Sequence, residues 1–388
     1  MSGSTLQPVT PDSTVTIAVR PGGEPTADWS GYTGWSRVRI TTGIERCPAD
    51  FELEGTDSYP ESAGVAKIEP GMECIILIGT QTVLSGYVDR VKYMISGNNH
   101  TLTVIGRSKC ADLVDCSAEF STFQLNNSTP LSLAQKLAAP FGINVYAIGD
   151  IGSTLVPQFD VILTETAFEI IERVARYAAL LAYDDHAGDL ILTRAGSLEM
   201  ASGFSQGVNV EQAQTTYSMD DRFSTVEAVL LTTATLYTEP GDPADAGAVS
   251  ADLVQGALSV DPGVPRYRPM IFVSEQGGSE YSVAKQRCAW EVARRIGRSQ
   301  AVRVTCDGWF DSAGTLWTKN TLAPINLPSL KLTDANWLIG EVTYRRDEAG
   351  THADVVLMPP QAYFPEPIIL QPYASDVYQA QNPVGGAQ

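Results

Sequence analysis

The chain has 388 residues, too many for a single hydrophobic core, so two to four domains are expected. Apolar residues make up 44% and charged residues 18%, which marks a globular chain rather than a disordered one. The formal charge of −19 excludes a surface that grips nucleic acid by its phosphates, but it is compatible with an acidic channel along which nucleic acid slides without sticking.

Residues 1–13 are rich in Ser, Thr and Pro and are expected to be disordered, with no basic start or apolar run of a secretion signal. No apolar run reaches membrane-spanning length, so assembly in a cytoplasm is expected. Val15–Val19 alternates as a strand, a second strand ends near Ile40, and Phe51–Glu54 is a third. Cys74–Ile78 is continuously apolar and reads as a strand buried on both faces. Tyr87–Ile95 alternates with Val91, Tyr93 and Ile95 on one face. Residues 96–99 tolerate positive φ and reverse the chain, and His100–Ile105 returns with Leu102 and Val104 inward. Gly106 is expected to end this strand, and Ser108 to cap a short helical turn that puts Leu113 and Val114 on the core side. Short strands spaced by Gly and Pro turns predict a barrel or sandwich over 14–118.

The composition then changes. Pro130–Ala139 reads as a helix, stopped by Pro140-Phe141-Gly142. Residues 143–163 look extended. Thr164 to about Ala182 reads as a helix with a capping box at Thr166 and Glu169, and with Ala167, Ile170, Ile171, Val174, Ala178 and Leu181 on one face. A turn at 184–188 and a strand at 189–193 complete a small α/β domain over 119–203. The pattern returns to β at 208–210 and 224–231, loosens through 238–263, and becomes helical again at 279–297. That helix has Ala284, Cys288, Val292 and Ile296 on its apolar line. A strand at 301–305, a hairpin at 308–317 and a last β segment follow. Leu338–Val342 parallels Leu84–Val88, with Gly350 and His352 answering Gly97 and His100; this loose match predicts an internal duplication. Residues 361–388 have no periodicity and read as an extended tail.

Each candidate for chemistry has a plainer reading. The six cysteines, Cys47, Cys74, Cys110, Cys116, Cys288 and Cys306, form no CxxC pair, and only three His accompany them, so reduced buried thiols are expected and a metal site is not. Asp184, Asp185, His186 and Asp189 are the densest set of potential ligands, but they lack the spacing of a cation loop and read as an acidic turn. Phosphate loops and a nucleophile elbow are missing, so no catalytic residue and no cofactor site is assigned. Arg294, Arg295 and Arg298 form a basic helical run that reads as a solvated face or, less simply, a grip for an acidic partner. The tryptophans beside β segments read as core or subunit-interface packing rather than a carbohydrate platform.

Gly86-Tyr87-Val88-Asp89, followed by the run from Thr103 to Ser117 with its G-R-S-K-x-x-D-L-V-D-C-S pattern, resembles the baseplate hub proteins of Mu-like contractile phage tails. Gly308-Trp309, Gly314-Thr315-Leu316-Trp317, Asn320 and Gly340-Glu341-Val342 fit the C-terminal half of that family in order and spacing. The resemblance covers most of 14–360. It implies a non-enzymatic homotrimer, VgrG-like in architecture, that forms a ring between the six-fold tail tube and the three-fold spike, with a channel through which DNA only passes. Its implied partners are itself, the tail tube protein and the central spike protein, with tape measure and baseplate wedge proteins as further neighbours, and no membrane. The implied fold is mixed α+β and mainly β, with two tube-type β-barrel domains per subunit and α/β inserts between them. The first barrel spans 14–118, the second 204–240 and 299–360, and the insert with the long helix 241–298. The motif residues Gly86, Asp89, Gly106, Arg107, Ser108, Asp112, Leu113, Asp115 and Gly340 take structural readings: Gly106 allows a corner, Ser108 caps it, Arg107 pairs with Asp112 or Asp115, and Leu113 fills the core. The alternatives are the hub of a DNA-free contractile injection particle such as a bacteriocin, a cell-wall hydrolase, and a carbohydrate-binding β protein.

Overall fold

Period-two patterning builds the first part of the chain, and the computed structural model places it in strands β1 (Val15–Arg20), β2 (Ser30–Tyr32), β3 (Arg37–Gly43), β4 (Asp50–Gly55), β5 (Glu73–Ile78), β6 (Gln81–Ser96) and β7 (Asn99–Ser108). The structure describes residues 12–56, 67–97, 99–119, 124–153, 155–160, 164–196, 198–230, 256–274 and 280–366. The expected disorder of the first residues and most of the expected tail lie outside these. Residues 361–366 do not form a free tail, because Ala362 and Tyr363 are buried in a short helical turn. β5 alternates buried and half-buried positions, so it covers one face of the core and not two. Gly106 lies inside β7, paired with Phe51 and Val88, rather than ending it.

Residues 110–194 form the first insert: α1 (Ala111–Asp115), β8 (Gln124–Ser128), α2 (Pro130–Ala138), β9 (Val145–Ile148), β10 (Val156–Asp160), α3 (Ala167–Tyr177), β11 (Leu181–Asp184) and β12 (Leu190–Thr193). The Thr166 hydroxyl accepts from the Glu169 amide and the Glu169 carboxylate from the Thr166 amide, so the capping box closes as expected. The helix is shorter than its apolar pattern suggests. Ala179 takes a positive φ of 55° and stops it, and Leu181 enters the hairpin β11–β12 instead of a helical face.

The chain then returns through β13 (Phe204–Ser205) and β14 (Val210–Tyr217) before a second insert of β15 (Thr225–Leu230), β16 (Gly256–Val260), β17 (Pro269–Ser274) and α4 (Glu280–Arg298). Expected as part of the second barrel, 225–230 instead pairs with β16 and β17 in a separate sheet that packs on α4, where Val226, Ala228, Ala284 and Cys288 share a core. β18 (Gln300–Asp307), β19 (Leu322–Leu327), β20 (Leu332–Asp347) and β21 (Gly350–Met358) finish the fold.

Mixed α+β and mainly β, the architecture has one feature the sequence did not suggest. β3 pairs with β20, so the first and last segments run as one 13-stranded sheet among the described residues, with eleven strands in the order β14-β18-β21-β20-β3-β4-β7-β6-β5-β1-β2 and with β19 and β13 branching from β20. One apolar core continues under both, from Ile17, Phe51 and Leu53 to Trp309, Trp317 and Val355. Burying side chains of this size contributes roughly 1.5–3 kcal/mol each.

The sheet is built twice from one plan. In β4–β7, Leu53 pairs with Val104 and Phe51 with Gly106; in β18–β21, Val304 pairs with Val355 and Val302 with Leu357. Hairpin β6–β7 closes with Ser96 opposite Asn99, and β20–β21 with Asp347 opposite Gly350. A bulge interrupts each hairpin once, at Asp89 and at Gly340. One constant offset along the chain relates all of these positions. β5 and β19 correspond as well, Cys74 with Gly86 matching Ala323 with Trp337, and both ladders shift register after the fourth pair. The duplication is therefore real at the level of strand register, but the sequence match was three residues out: Gly340 corresponds to Asp89 and not to Gly86.

Candidate assembly surfaces and the corner behind them

The motif residues around the end of β7 meet at a corner. Gly86 sits where β6 crosses the end of β7, and a Cβ there would lie 1.8 Å from the Arg107 carbonyl oxygen, so only glycine permits the approach. The Arg107 guanidinium then forks to Asp89 at 2.6 Å and Asp115 at 2.8 Å. Of the two expected partners it takes Asp115; Asp112 is not bonded to it, and Asp89, displaced by the bulge, is the second partner. Hydrogen bonds donated to Asp115 and Asp89 hold the Arg107 pKa above its ordinary value, and the same bond lowers that of Asp115. Burial instead raises Asp112. Leu113 is fully buried against α2 and α3, as expected.

Ser108 does not cap the turn. Cys110 occupies the cap position and makes no side-chain bond there. The Ser108 hydroxyl points inward and donates to Asp184, whose same oxygen accepts from the Ala49 amide at 2.7 Å. The other Asp184 oxygen accepts from the Lys319 ammonium at 2.8 Å. Asp184 is fully buried and Lys319 nearly so. This pair joins the first β segment, the first insert and the last β segment at one point. Next to it Asn320 donates to the Tyr183 hydroxyl at 2.9 Å, and burial pushes the Tyr183 pKa up to about 12. Asp185, by contrast, accepts from Ala187 and Asp189 amides as a turn former, with its second oxygen taking the Tyr146 hydroxyl at 2.7 Å. The acidic run thus divides into a buried strut and a surface turn. Strand alternation gave no signal for this: a period of two through Leu181 and Tyr183 would turn Asp185 inward, whereas Asp184 is the buried one.

Gly340 has a different duty from Gly86. A Cβ at 340 would lie 1.9 Å from the Tyr363 hydroxyl, so the glycine receives the aromatic ring that follows β21. The arginines of α4 are also committed internally. Arg294 and Arg298 both reach Glu45, Arg298 donates to the Ala362 carbonyl, and Arg295 pairs with Glu291. Their charge is met within the chain rather than left as a bare solvated face. Trp309 and Trp317 are buried in the core, with the Trp309 indole donating to the His352 carbonyl at 2.8 Å.

Two surfaces of the sheet bear on assembly. On the solvent side of the β4–β3–β20–β21 sheet, Arg37 faces Glu54, Arg39 faces Asp50 and Glu52, Arg46 faces Asp50 and Glu341, and Arg345 faces Asp347 and Asp354. Carboxylates outnumber guanidiniums in this lattice, and every one of these arginines is paired. The second surface is the outer end of hairpin β6–β7. Here Tyr93, Met94 and Ile95 are 56%, 59% and 72% exposed, so the face that alternation gave to Val91, Tyr93 and Ile95 is open at this end.

A large, mainly antiparallel sheet repeated within one chain, with its arginines paired inside the fold, is the architecture of a structural component of an assembly. Family profiles agree along most of the chain. Residues 26–108 match the N-terminal domain of Mu phage baseplate assembly proteins of the GpP-like group, 110–194 the second domain of gp44-like baseplate hub proteins, and 280–366 the fourth domain of GpP. The chain is 30% identical to baseplate hub protein gp44 of Escherichia phage Mu over 87% of both sequences, and it belongs to this family of phage tail baseplate hub proteins. It is similar in structure to a 43 kDa tail protein of prophage MuSo2 from Shewanella oneidensis, with a TM-score of 0.75 and 31% identity over 90% of this chain and 99% of that one. A tail protein from Neisseria meningitidis shares the fold, with a TM-score of 0.70 and 19% identity over 91% of this chain and 98% of the other. The protein is thus a virion tail component, and its relatives are hub and tail proteins rather than enzymes.

Proposed function

We propose that this hub is a ring-shaped homotrimer that adapts the six-fold tail tube to the three-fold spike, leaves an axial channel for DNA, and has no catalytic activity of its own. The observation that carries the reading is the duplicated strand plan. Three copies of a chain that holds two equivalent sheet units present six similar units, the number a six-fold tube requires, while the inserts keep three-fold symmetry.

The ion-paired face of the sheet fits the channel wall. A wall bearing bare Lys and Arg would hold DNA, whereas here each of the named arginines is neutralised and the balance is slightly acidic. The expected acidic lining becomes, in this form, a paired lattice rather than an open acidic field. The outer rims of the ring would meet the tube protein on one side and the spike protein on the other.

Imaging of the purified oligomer together with its solution mass tests this. A three-copy ring with a pore wide enough for a DNA duplex is expected. A stable monomer at high concentration, or a trimer with no axial opening, would rule it out.

A further inference from the structure

The repeat is incomplete in one respect, and the missing part identifies a partner. In the second half, the outer segment of β20 is covered along one edge by β3, with Arg346 opposite Val38, Tyr344 opposite Ile40 and Val342 opposite Thr42. The corresponding segment of β6 is Arg90–Ile95. Its inner part is covered by β5 as far as Tyr87, but beyond that no strand lies on this edge among the described residues. Tyr344 is 3% exposed, and its counterpart Tyr93 is 56% exposed.

The counterpart of β3 is also present and also unpaired. β14 pairs with β18 as β3 pairs with β4: Ala213 opposite Val304 answers Val38 opposite Leu53, and Thr215 opposite Val302 answers Ile40 opposite Phe51. β3 goes on to pair with β20. β14 ends the sheet, with its second edge uncovered among the described residues. The molecule therefore has two open edges that match the two sides of a junction it already makes internally. Within one chain they lie at opposite parts of the sheet, so each meets its complement only on another copy.

We propose that β14 of one subunit pairs antiparallel with the outer part of β6 of the next, in the register that β3 takes on β20. This places Thr215 opposite Tyr93, Gln214 opposite Met94, Ala213 opposite Ile95 and Tyr217 opposite Val91. The inference rests on the ring reading and adds to it the strands and the register of the subunit seam. Physical need supports it. A long uncovered edge carrying Tyr, Met and Ile promotes unspecific strand pairing, and a head-to-tail contact that closes a ring removes it. The Tyr93 ring would enter the site that Tyr344 occupies at the internal junction, and exposed apolar area would be buried.

Paired cysteines test the register on the full chain. Tyr93→Cys with Thr215→Cys puts two thiols on the same side of adjacent strands, at a separation a disulfide spans. Under mild oxidation this variant should give covalent dimers and trimers on a non-reducing gel. Tyr93→Cys with Thr216→Cys, one residue out and facing the opposite side, should give less than about a tenth as much. The parent protein, which keeps its own cysteines including exposed Cys116, sets the background. Should the double variant fail to fold, the two single variants mixed in equal amounts should yield a crosslinked dimer. Light scattering separates the two ideas. A trimer without the crosslink, or one that forms both crosslinks equally, overturns the seam and leaves the ring standing. A monomer overturns both.

Discussion

The two halves of the sheet share a strand plan and differ in what they do with it. At the bulge and the end of the returning strand, the first half has Asp89 and Arg107, which with Asp115 form a charged corner leading into the first insert. At the corresponding positions the second half has Gly340 and Met358, and Tyr363 packs onto the glycine. One half exits through an ion cluster into a new domain; the other closes with an aromatic plug. The same division holds at the hairpin tips, where Tyr344 is enclosed and Tyr93 is open. A duplicated fold becomes asymmetric where its copies must connect to different neighbours, and it stays symmetric along the strands that form the wall.

Separating the halves should have the largest effect. Lys319→Met keeps the side-chain volume but leaves the buried Asp184 carboxylate without its cation, and should cost about 3–5 kcal/mol. If the Asp184 strut couples the halves, thermal unfolding stays a single, earlier transition. Two transitions, one at the parent temperature, would show that the halves melt independently.

The tyrosine pair gives the sharpest contrast. Tyr344→Ala removes a buried ring whose hydroxyl bonds the Trp317 carbonyl at 2.5 Å, and should cost about 3–5 kcal/mol in denaturant titration. Tyr93→Ala should change subunit stability by about 0.5 kcal/mol or less, while weakening self-association in sedimentation. Equal losses of stability would mean that Tyr93 is covered within its own chain.

The glycines rank next. Gly86→Ala drives a methyl into backbone and should cost about 3 kcal/mol; at Gly340→Ala the obstacle is the end of the Tyr363 side chain, which can withdraw, and about 1 kcal/mol is expected. Thermal shifts of the two variants decide the order, and a larger loss at Gly340 would contradict it.

Smallest is the charged corner. The folded pKa of Asp115 is lowered by Arg107, so its contribution is present above the unfolded value of about 3.9 and disappears as pH falls through the lower folded value. Asp115→Asn should lose less than about 1 kcal/mol at pH 7, because the carboxylate is half exposed. The gap between it and the parent should hold from neutral pH to about pH 5 and close below about pH 4. A gap that widens on acidification would assign the stability to another group.

How far the sequence could be read follows from these same residues. Alternation located β1, β3, β4 and β7, because one face of each lies on the core. It grouped Val91, Tyr93 and Ile95 on one face of β6 without telling that Tyr93 and Ile95 would be exposed. The duplication was legible, but its register was not: Gly86 and Gly340 look alike in sequence and answer different steric demands, while the bulge that aligns the halves has no residue signature. Asp184 was hidden in a run that resembles a surface turn, since its partner Lys319 lies 135 residues away. The β3–β20 junction was illegible for the same reason, as contacts of such separation leave no local mark.

That junction has a consequence for synthesis. Thr41 and Thr343, whose hydroxyls meet across it at 3.1 Å, are 302 residues apart. At a translation rate of about 5–20 residues per second, β3 waits roughly 15–60 s on the ribosome before the strand that covers it exists. During that interval a nascent chain offers β3 to any complementary edge, including one on a sister chain emerging from the same message. Early pairing of that kind would exchange segments between subunits, and the growing chain must outpace it, or be shielded, to arrive at the sheet described above.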